Sequence, residues 1–417
     1  MSIMKLSKLF RGNAAVLRGN FLIITISWII MFFAQPIPAT YASLFYLHLG
    51  ANVFLISIMG FAGSIAVALV QFPGGYLADK HGRRWLIVTM TFGLGVGTLF
   101  FIFALSWPFL LLGILIQNLC SIYGPALLAM DMDSLAPENR GAGYSFQTVI
   151  STIVILPAPL IAQYLVVAFH FDLGMRIAYT IVALMYFAIA VLRLRLKETL
   201  PNKDAKERPS LIGALKDYPK SVKEGIYVWR KIPKSAFNLF VAIIIINGLV
   251  VGCQTYFVVY AISVLKMSLT QWSIVLAFMY LTISIPAIIA GFSMDVMGRK
   301  RFLILGYLLY VPGMLLFIHA NFDTLLLAFF FFGLGNLLQL NSYQVLMGDL
   351  IPRNIRGTAF GSLQFFMYLI QAAFQVLVGV LYAFVSPELP FLLLAASAIP
   401  LSIFVFWKVY EPSIKEA

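Results

Sequence analysis

The chain predicts an all-α integral membrane fold, with twelve transmembrane helices in two six-helix pseudo-repeat bundles. Three observations carry that expectation. The first is composition: 61% of the 417 residues are hydrophobic and only 11% charged, with a mean hydropathy of +0.94, whereas soluble domains carry roughly 25% charged residues. The second is a charged turn that occurs twice. Gly75-Tyr-Leu-Ala-Asp79-Lys-His-Gly82-Arg83-Arg84 returns 216 residues later as Gly291-Phe-Ser-Met-Asp295-Val-Met-Gly298-Arg299-Lys300. The third is the placement of cations. With the N-terminus set in the cytoplasm, all of the 29 Lys and Arg except Arg176 and Lys266 fall on the cytoplasmic side, which is the positive-inside rule in strong form.

The spans follow in order along the chain. They are predicted at 20–48, 52–78, 84–105, 107–134, 140–169, 173–196, 235–264, 269–294, 300–320, 323–349, 356–385 and 389–410. Apolar runs of this length suit helices that cross a bilayer. Barrel strands would alternate polar and apolar over roughly 10 residues. The first run begins near Asn20 and is too long for a signal h-region, so no cleavable signal peptide is expected. Between the sixth and seventh spans lies the one long polar interruption. The expected organisation is therefore an N-terminal bundle over 1–197, a cytoplasmic linker over 198–234 and a C-terminal bundle over 235–417. Part of the linker, and the basic stretch Met1–Arg18, could lie on the membrane surface as amphipathic helices. Cys120 and Cys253 fall within spans and read as small apolar fillers.

The net charge of +13 suits anionic lipid. No basic cluster stands apart from a helix end, so nucleic acid is not an expected partner. No metal or cofactor is expected: the histidines are His48, His81, His170 and His319, with no nucleophile or ligand cluster around them. The chain is thus not read as an enzyme. It has no phosphate-binding loop of the Gly-Lys-Ser/Thr kind, which argues against direct ATP drive.

A second motif pair completes the repeat. Asp133-Ser-Leu-Ala-Pro137-Glu-Asn-Arg140-Gly141 is answered by Asp349-Leu-Ile-Pro352-Arg-Asn-Ile-Arg356-Gly357. On these residues the chain resembles the major facilitator superfamily over essentially its full length. Gly75 to Arg84 matches that family's turn between spans two and three, and Gly291 to Lys300 its weaker copy between spans eight and nine. The resemblance implies a multi-pass transporter of the cell membrane that works by rocker-type alternating access. It also implies gating roles for Gly75, Asp79, Gly82, Arg83, Arg84, Asp133, Arg140, Asp295, Gly298, Arg299, Asp349 and Arg356. Asp79 would face the start of span eleven near Arg356, and Asp295 that of span five near Gly141. Arg83 and Arg299 could pair with Asp133 and Asp349. These contacts are expected to cross between halves when the cytoplasmic side is closed. The plainer reading, that the cations only anchor helix ends, leaves the paired Asp and Gly unexplained.

Polar residues inside spans mark pathways by default. The candidates for a substrate cavity are Trp28, Gln35, Gln117, Asn118, Asn247, Gln254, Asn336, Gln339, Tyr368 and Gln371, within stripes that also include Gln375. Helix-helix adhesion is the alternative for any one of them. No Lys or Arg reads as mid-span, which argues against phosphate or multiply anionic solutes. Asp131 is the one carboxylate clearly inside the apolar boundaries. It could carry a coupling proton, or line the cytoplasmic vestibule or pair with a loop cation, and its helix-end position favours the latter. Ile114 and Asn118 depart from the Arg-x-x-Gln-Gly pattern of proton-coupled drug exporters, and span five lacks their glycines. The leading expectation is a monomeric secondary transporter of a small neutral or weakly polar solute. An exporter of amphipathic compounds and a non-transporting sensor or scaffold are the rivals.

Overall fold

The computed structural model describes residues 18–135, 140–200, 219, 223, 225–352 and 355–411. Within them, the side chains at 72, 75, 76, 78–81, 140–142, 145, 285–297 and 356–358 lie outside the description. Helices fill the described chain, and no strand occurs among the described residues. Eleven helical stretches are long and apolar enough to cross a membrane. The remaining element, Leu269–Met297, spans 29 residues, of which Leu269–Ser284 forms a described apolar stretch.

Several spans are uninterrupted: Val53–His81, Arg83–Ile102, Phe171–Arg193, Lys234–Ser263, Arg299–Phe317, Phe322–Leu350 and Leu389–Lys408. Others break where proline removes a backbone donor. Span one is Gly19–Ala34, Pro36–Ala39 and Ala42–His48 rather than one helix. Span four is Trp107–Cys120, a 3-10 turn Ser121–Tyr123 and Gly124–Asp133, with Pro125 at the start of its last piece. Span five divides into Arg140–Val154 and Ala158–Ala168 around Pro157. Span eleven, Arg356–Val380, closes on a π turn, Leu381–Val385.

Within each half, close helix contacts rest on small residues. Spans nine and ten meet where a Cβ on Gly306 would stand 2.9 Å from the Gly335 carbonyl oxygen. The two bundles also tie their ends alike. Asn20 exchanges two hydrogen bonds with the Lys197 backbone, joining spans one and six. Ser235 and Asn238 bond the backbone of Tyr410 and Lys408, joining spans seven and twelve. Across the halves, spans two and eleven pack closely enough that a Cβ on Gly60 would clash with the Gln375 side chain.

The turns at Gly82 and Gly298 define one end of the bundle, here called the basic face. Arg176 lies towards the other end. Its guanidinium pairs with Asp172 and donates to the carbonyls of Ile102 and Ala104. A cation at the C-terminus of span three is favourably placed against the helix dipole.

The described end of the linker is not simply superficial. The Trp229 ring lies tilted against that of Phe240, 4.1 Å between centres, and its indole donates to Ser362 Oγ at 2.8 Å. Ser362 in turn donates to the Gly225 carbonyl, so the linker is seated on spans seven and eleven.

Candidate substrate cavity and gating turns

The repeated charged turns are built from three elements each. Gly82 and Gly298 have φ of +91° and +93°, a region that strongly favours residues lacking a Cβ. Each glycine reverses the chain so that the next residue, Arg83 or Arg299, opens a helix. Arg83 pairs with Asp133 at the end of span four and donates to Thr199 Oγ1. Arg299 pairs with Asp349 on span ten. Both pairs join residues within one half, so they do not cross between halves as expected. The side chains of Gly75, Asp79, Arg140, Asp295 and Arg356 lie outside the described residues, and so do the contacts expected of them.

Two acids that the sequence reading passed over complete these turns. The Glu198 carboxylate accepts from the Arg84 backbone N–H at 3.0 Å, and that of Glu411 accepts from Arg299 N–H at 2.9 Å. Each comes from just beyond the last span of its half and caps the helix that starts at the turn. Burial alone would raise the Glu198 carboxyl, but the N–H groups of Arg84, Leu200, Arg83 and Thr199 hold it below its ordinary value. Arg84 also donates through its guanidinium to the Leu194 carbonyl. The signal was available: Lys197-Glu198-Thr199 and Tyr410-Glu411 each follow a basic helix end.

Between the halves lies a cavity of about 730 Å³. Gln35, Gln117, Asn118, Gln254, Asn336, Tyr368 and Gln371 line it, as does Gln375. Gln35 sits at the proline break of span one, and its Nε2 donates to Tyr186 Oη at 3.0 Å. Gln117 donates to Thr98, and Gln371 and Gln375 reach Ser64 across the halves. Aromatic rings fill much of the remaining wall, among them Tyr46, Tyr179, Trp272, Tyr280, Phe329 and Phe332. No carboxylate, lysine, arginine or histidine among the described residues lines it.

Three cavity candidates fall elsewhere. Trp28 and Asn247 each lie seven residues from a lining residue, Gln35 and Gln254, on the same helix face but nearer the basic face and below the cavity. Trp28 stacks on Phe32 instead. Gln339 is wholly buried and accepts from Tyr310 Oη, turned towards span nine. Asp131 is also buried, at 4% exposure, not lining a vestibule. Gln147 Nε2 lies 3.4 Å from its Oδ1 and 3.0 Å from Thr25 Oγ1, between spans one and five. No described cation pairs with it.

At the end away from the basic face, the halves are sealed by hydrogen bonds. Tyr41 Oη donates to the Leu269 carbonyl at 2.8 Å, and Trp272 Nε1 donates to the Thr40 carbonyl at 3.0 Å. Ser43 Oγ donates to the Thr255 carbonyl at 2.7 Å, and Tyr256 Oη to that of Val53 at 3.0 Å. Further towards the basic face, the described hydrogen bonds between halves are those of Ser64 and one from Ser284 to Thr152.

The profile of the Major Facilitator Superfamily matches residues 18–292 and 243–417. Comparison with curated proteins finds no match. Among solved structures, the nucleoside transporter NupG is similar at 16% identity and a TM-score of 0.70, over 94% of this chain and 100% of that one. The human organic anion transporter MFSD10 aligns at 17% identity and a TM-score of 0.66, over 95% and 99%. The peptide transporter POT in complex with sulfate aligns at 16% and 0.69, over 93% of each chain. At these identities the likeness is one of fold.

Proposed function

Because the chain belongs to the major facilitator superfamily, a family of transporters rather than enzymes, we propose that it is a secondary transporter carrying a small polar solute through the central cavity. The cavity opens to one membrane face at a time. The observation that carries this reading is the pairing of an amide-lined cavity shared by both halves with a hydrogen-bonded seal at the end away from the basic face. In this reading residues 1–197 and 235–417 are the two moving bundles and 198–234 is the linker between them. The basic face and both termini are cytoplasmic, following the distribution of Lys and Arg.

Solute is held by neutral donors and acceptors: the amides of Gln35, Gln254, Asn336 and Gln371, with aromatic faces around them. A screen of the purified protein against small solutes by thermal shift identifies ligands, since a ligand stabilises what it binds. Replacing any one of these four amides with Ala should then weaken binding by about 1–3 kcal/mol, the usual cost of an unsatisfied buried partner. Unchanged affinity in all four variants would sink the cavity assignment.

Asp131 is the proposed carrier of a coupling proton, because it is a buried carboxyl whose partner among the described residues is the amide of Gln147. Solute accumulation driven by a pH gradient in proteoliposomes should collapse to passive exchange in Asp131→Asn. Gradient-driven accumulation that survives the substitution removes that role.

A further inference from the structure

Arg193 ends span six and is wholly buried. In the sequence it lies near the end of predicted span six, and its side chain runs back along that span. Helical side chains tilt towards their helix's N-terminus, and span six runs towards the basic face. The guanidinium is therefore carried back into the first bundle. There Nη1 donates to Thr91 Oγ1 at 2.7 Å, Nη2 lies 3.8 Å from Met31 Sδ, and Cζ stands 5.3 Å from the centre of the Tyr123 ring. Nε has no hydrogen-bond partner, and no carboxylate among the described residues pairs with the group. Arginine keeps its proton in proteins, and a buried charge without a counter-ion is costly.

The packing of a bundle does not require this cation. Thr91 and Tyr123 recur 216 residues later as Tyr307 and Gln339, both wholly buried. The second half thus fills the matching place with neutral groups. What distinguishes the first half is its proximity to one wall of the cavity. Tyr186 lies seven residues before Arg193, on the same helix face and about 10 Å along the axis, and the arginine side chain leans towards it. Tyr186 lines the cavity. Its hydroxyl accepts from Gln35 and keeps its own proton to donate.

We infer that the charge of Arg193, set behind the Gln35–Tyr186 wall, makes that wall the seat of a single negative charge on the solute, so that the transported class is small organic monoanions such as carboxylates. This deepens, and rests on, the reading of the cavity as the solute site. Arg193 acts through the wall as a specificity-determining residue and does not touch the solute. With about 10 Å of separation and an effective dielectric of about 20, one charge alters anion affinity roughly ten-fold.

Matched acids and amides test it. Benzoate with benzamide, and phenylacetate with phenylacetamide, are titrated against the purified full-length protein at neutral pH, with the shift in unfolding temperature as the readout. At least one acid should saturate at about ten-fold lower concentration than its amide. The preference should vanish in Arg193→Gln and persist in Arg193→Lys, which keeps the charge. A purely structural arginine would move stability without moving the acid-to-amide ratio. If Arg193→Gln does not fold, Tyr186→Phe takes its place, since loss of the donating hydroxyl should cut the same preference. Acids that bind no better than amides in the wild type, whether or not either binds, overturn the inference. So does an acid preference that survives in Arg193→Gln, or in Tyr186→Phe where that variant stands in. Gln371→Ala on another span keeps the two readings apart. It should weaken acid and amide alike, and if it alters neither, the cavity reading fails rather than the charge assignment.

Discussion

At the residue scale, the repeated turns show how a few side chains fix a helix start at a membrane surface. Gly82 supplies the positive φ, Arg83 is held by Asp133, and Glu198 reaches back from the end of span six to cap the new helix. The glycine leaves little room: a Cβ there would stand 2.8 Å from Glu198 Oε2. Because the Glu198 carboxyl is held below its ordinary value near 4.5, the sign of its pH dependence follows. Its contribution is fully present above about pH 4.5 and is lost as pH falls through the lowered value. The wild type should therefore lose unfolding temperature below about pH 4.5 more steeply than Glu198→Gln, which has no proton to take up there. Parallel pH profiles for the two proteins would remove Glu198 from the cap. The glycines and arginines of these turns were legible from their duplication. The glutamates were not singled out, because a single acid after a helix end has many readings until its distance to an N-terminus is known.

At the scale of elements, the sequence located spans within a few residues but not their internal breaks or the depth of the cavity. Period fixes which face of a helix a residue occupies. It does not fix how far along the membrane normal the cavity extends, and so Trp28 and Asn247 shared a face with true lining residues while lying below them. Arg193 was not singled out for a related reason: its Cα belongs to the helix end, while its side chain belongs to the bundle interior. The prolines at 36 and 38 were visible, and the structure places Gln35 and the Thr40–Tyr41 seal at the break they make. Phenylalanine at Tyr41 should weaken that seal, since it strips the Leu269 carbonyl of a donor at a cost of about 1–3 kcal/mol to the sealed state. The open population rises accordingly. A cysteine placed at Gln371 should then react faster with an impermeant maleimide from the sealed face, on a background lacking Cys120 and Cys253. An unchanged rate would mean that the Tyr41 bond does not hold the seal.

For the whole molecule, two similar bundles enclose a site that belongs to neither. The ion pairs of the repeated turns join residues of one bundle each, and so stiffen their own bundle. The described hydrogen bonds between bundles gather at one end and along spans two and eleven, and five and eight. Rigid halves joined by a bistable interface are what rocking of one bundle on the other requires. The central claim is that the cavity meets one face at a time, and a tether across the seal tests it most directly. Ser43→Cys and Thr255→Cys, joined by a short bifunctional thiol reagent, hold the seal shut at a contact where Ser43 now donates to the Thr255 carbonyl. A cysteine at Gln371 introduced after tethering, by unmasking a protected side chain, reports access from each face in vesicles of known orientation. The account predicts reaction from both faces without the tether, and from the basic face alone once it is formed. Labelling from the sealed face with the tether complete would contradict it.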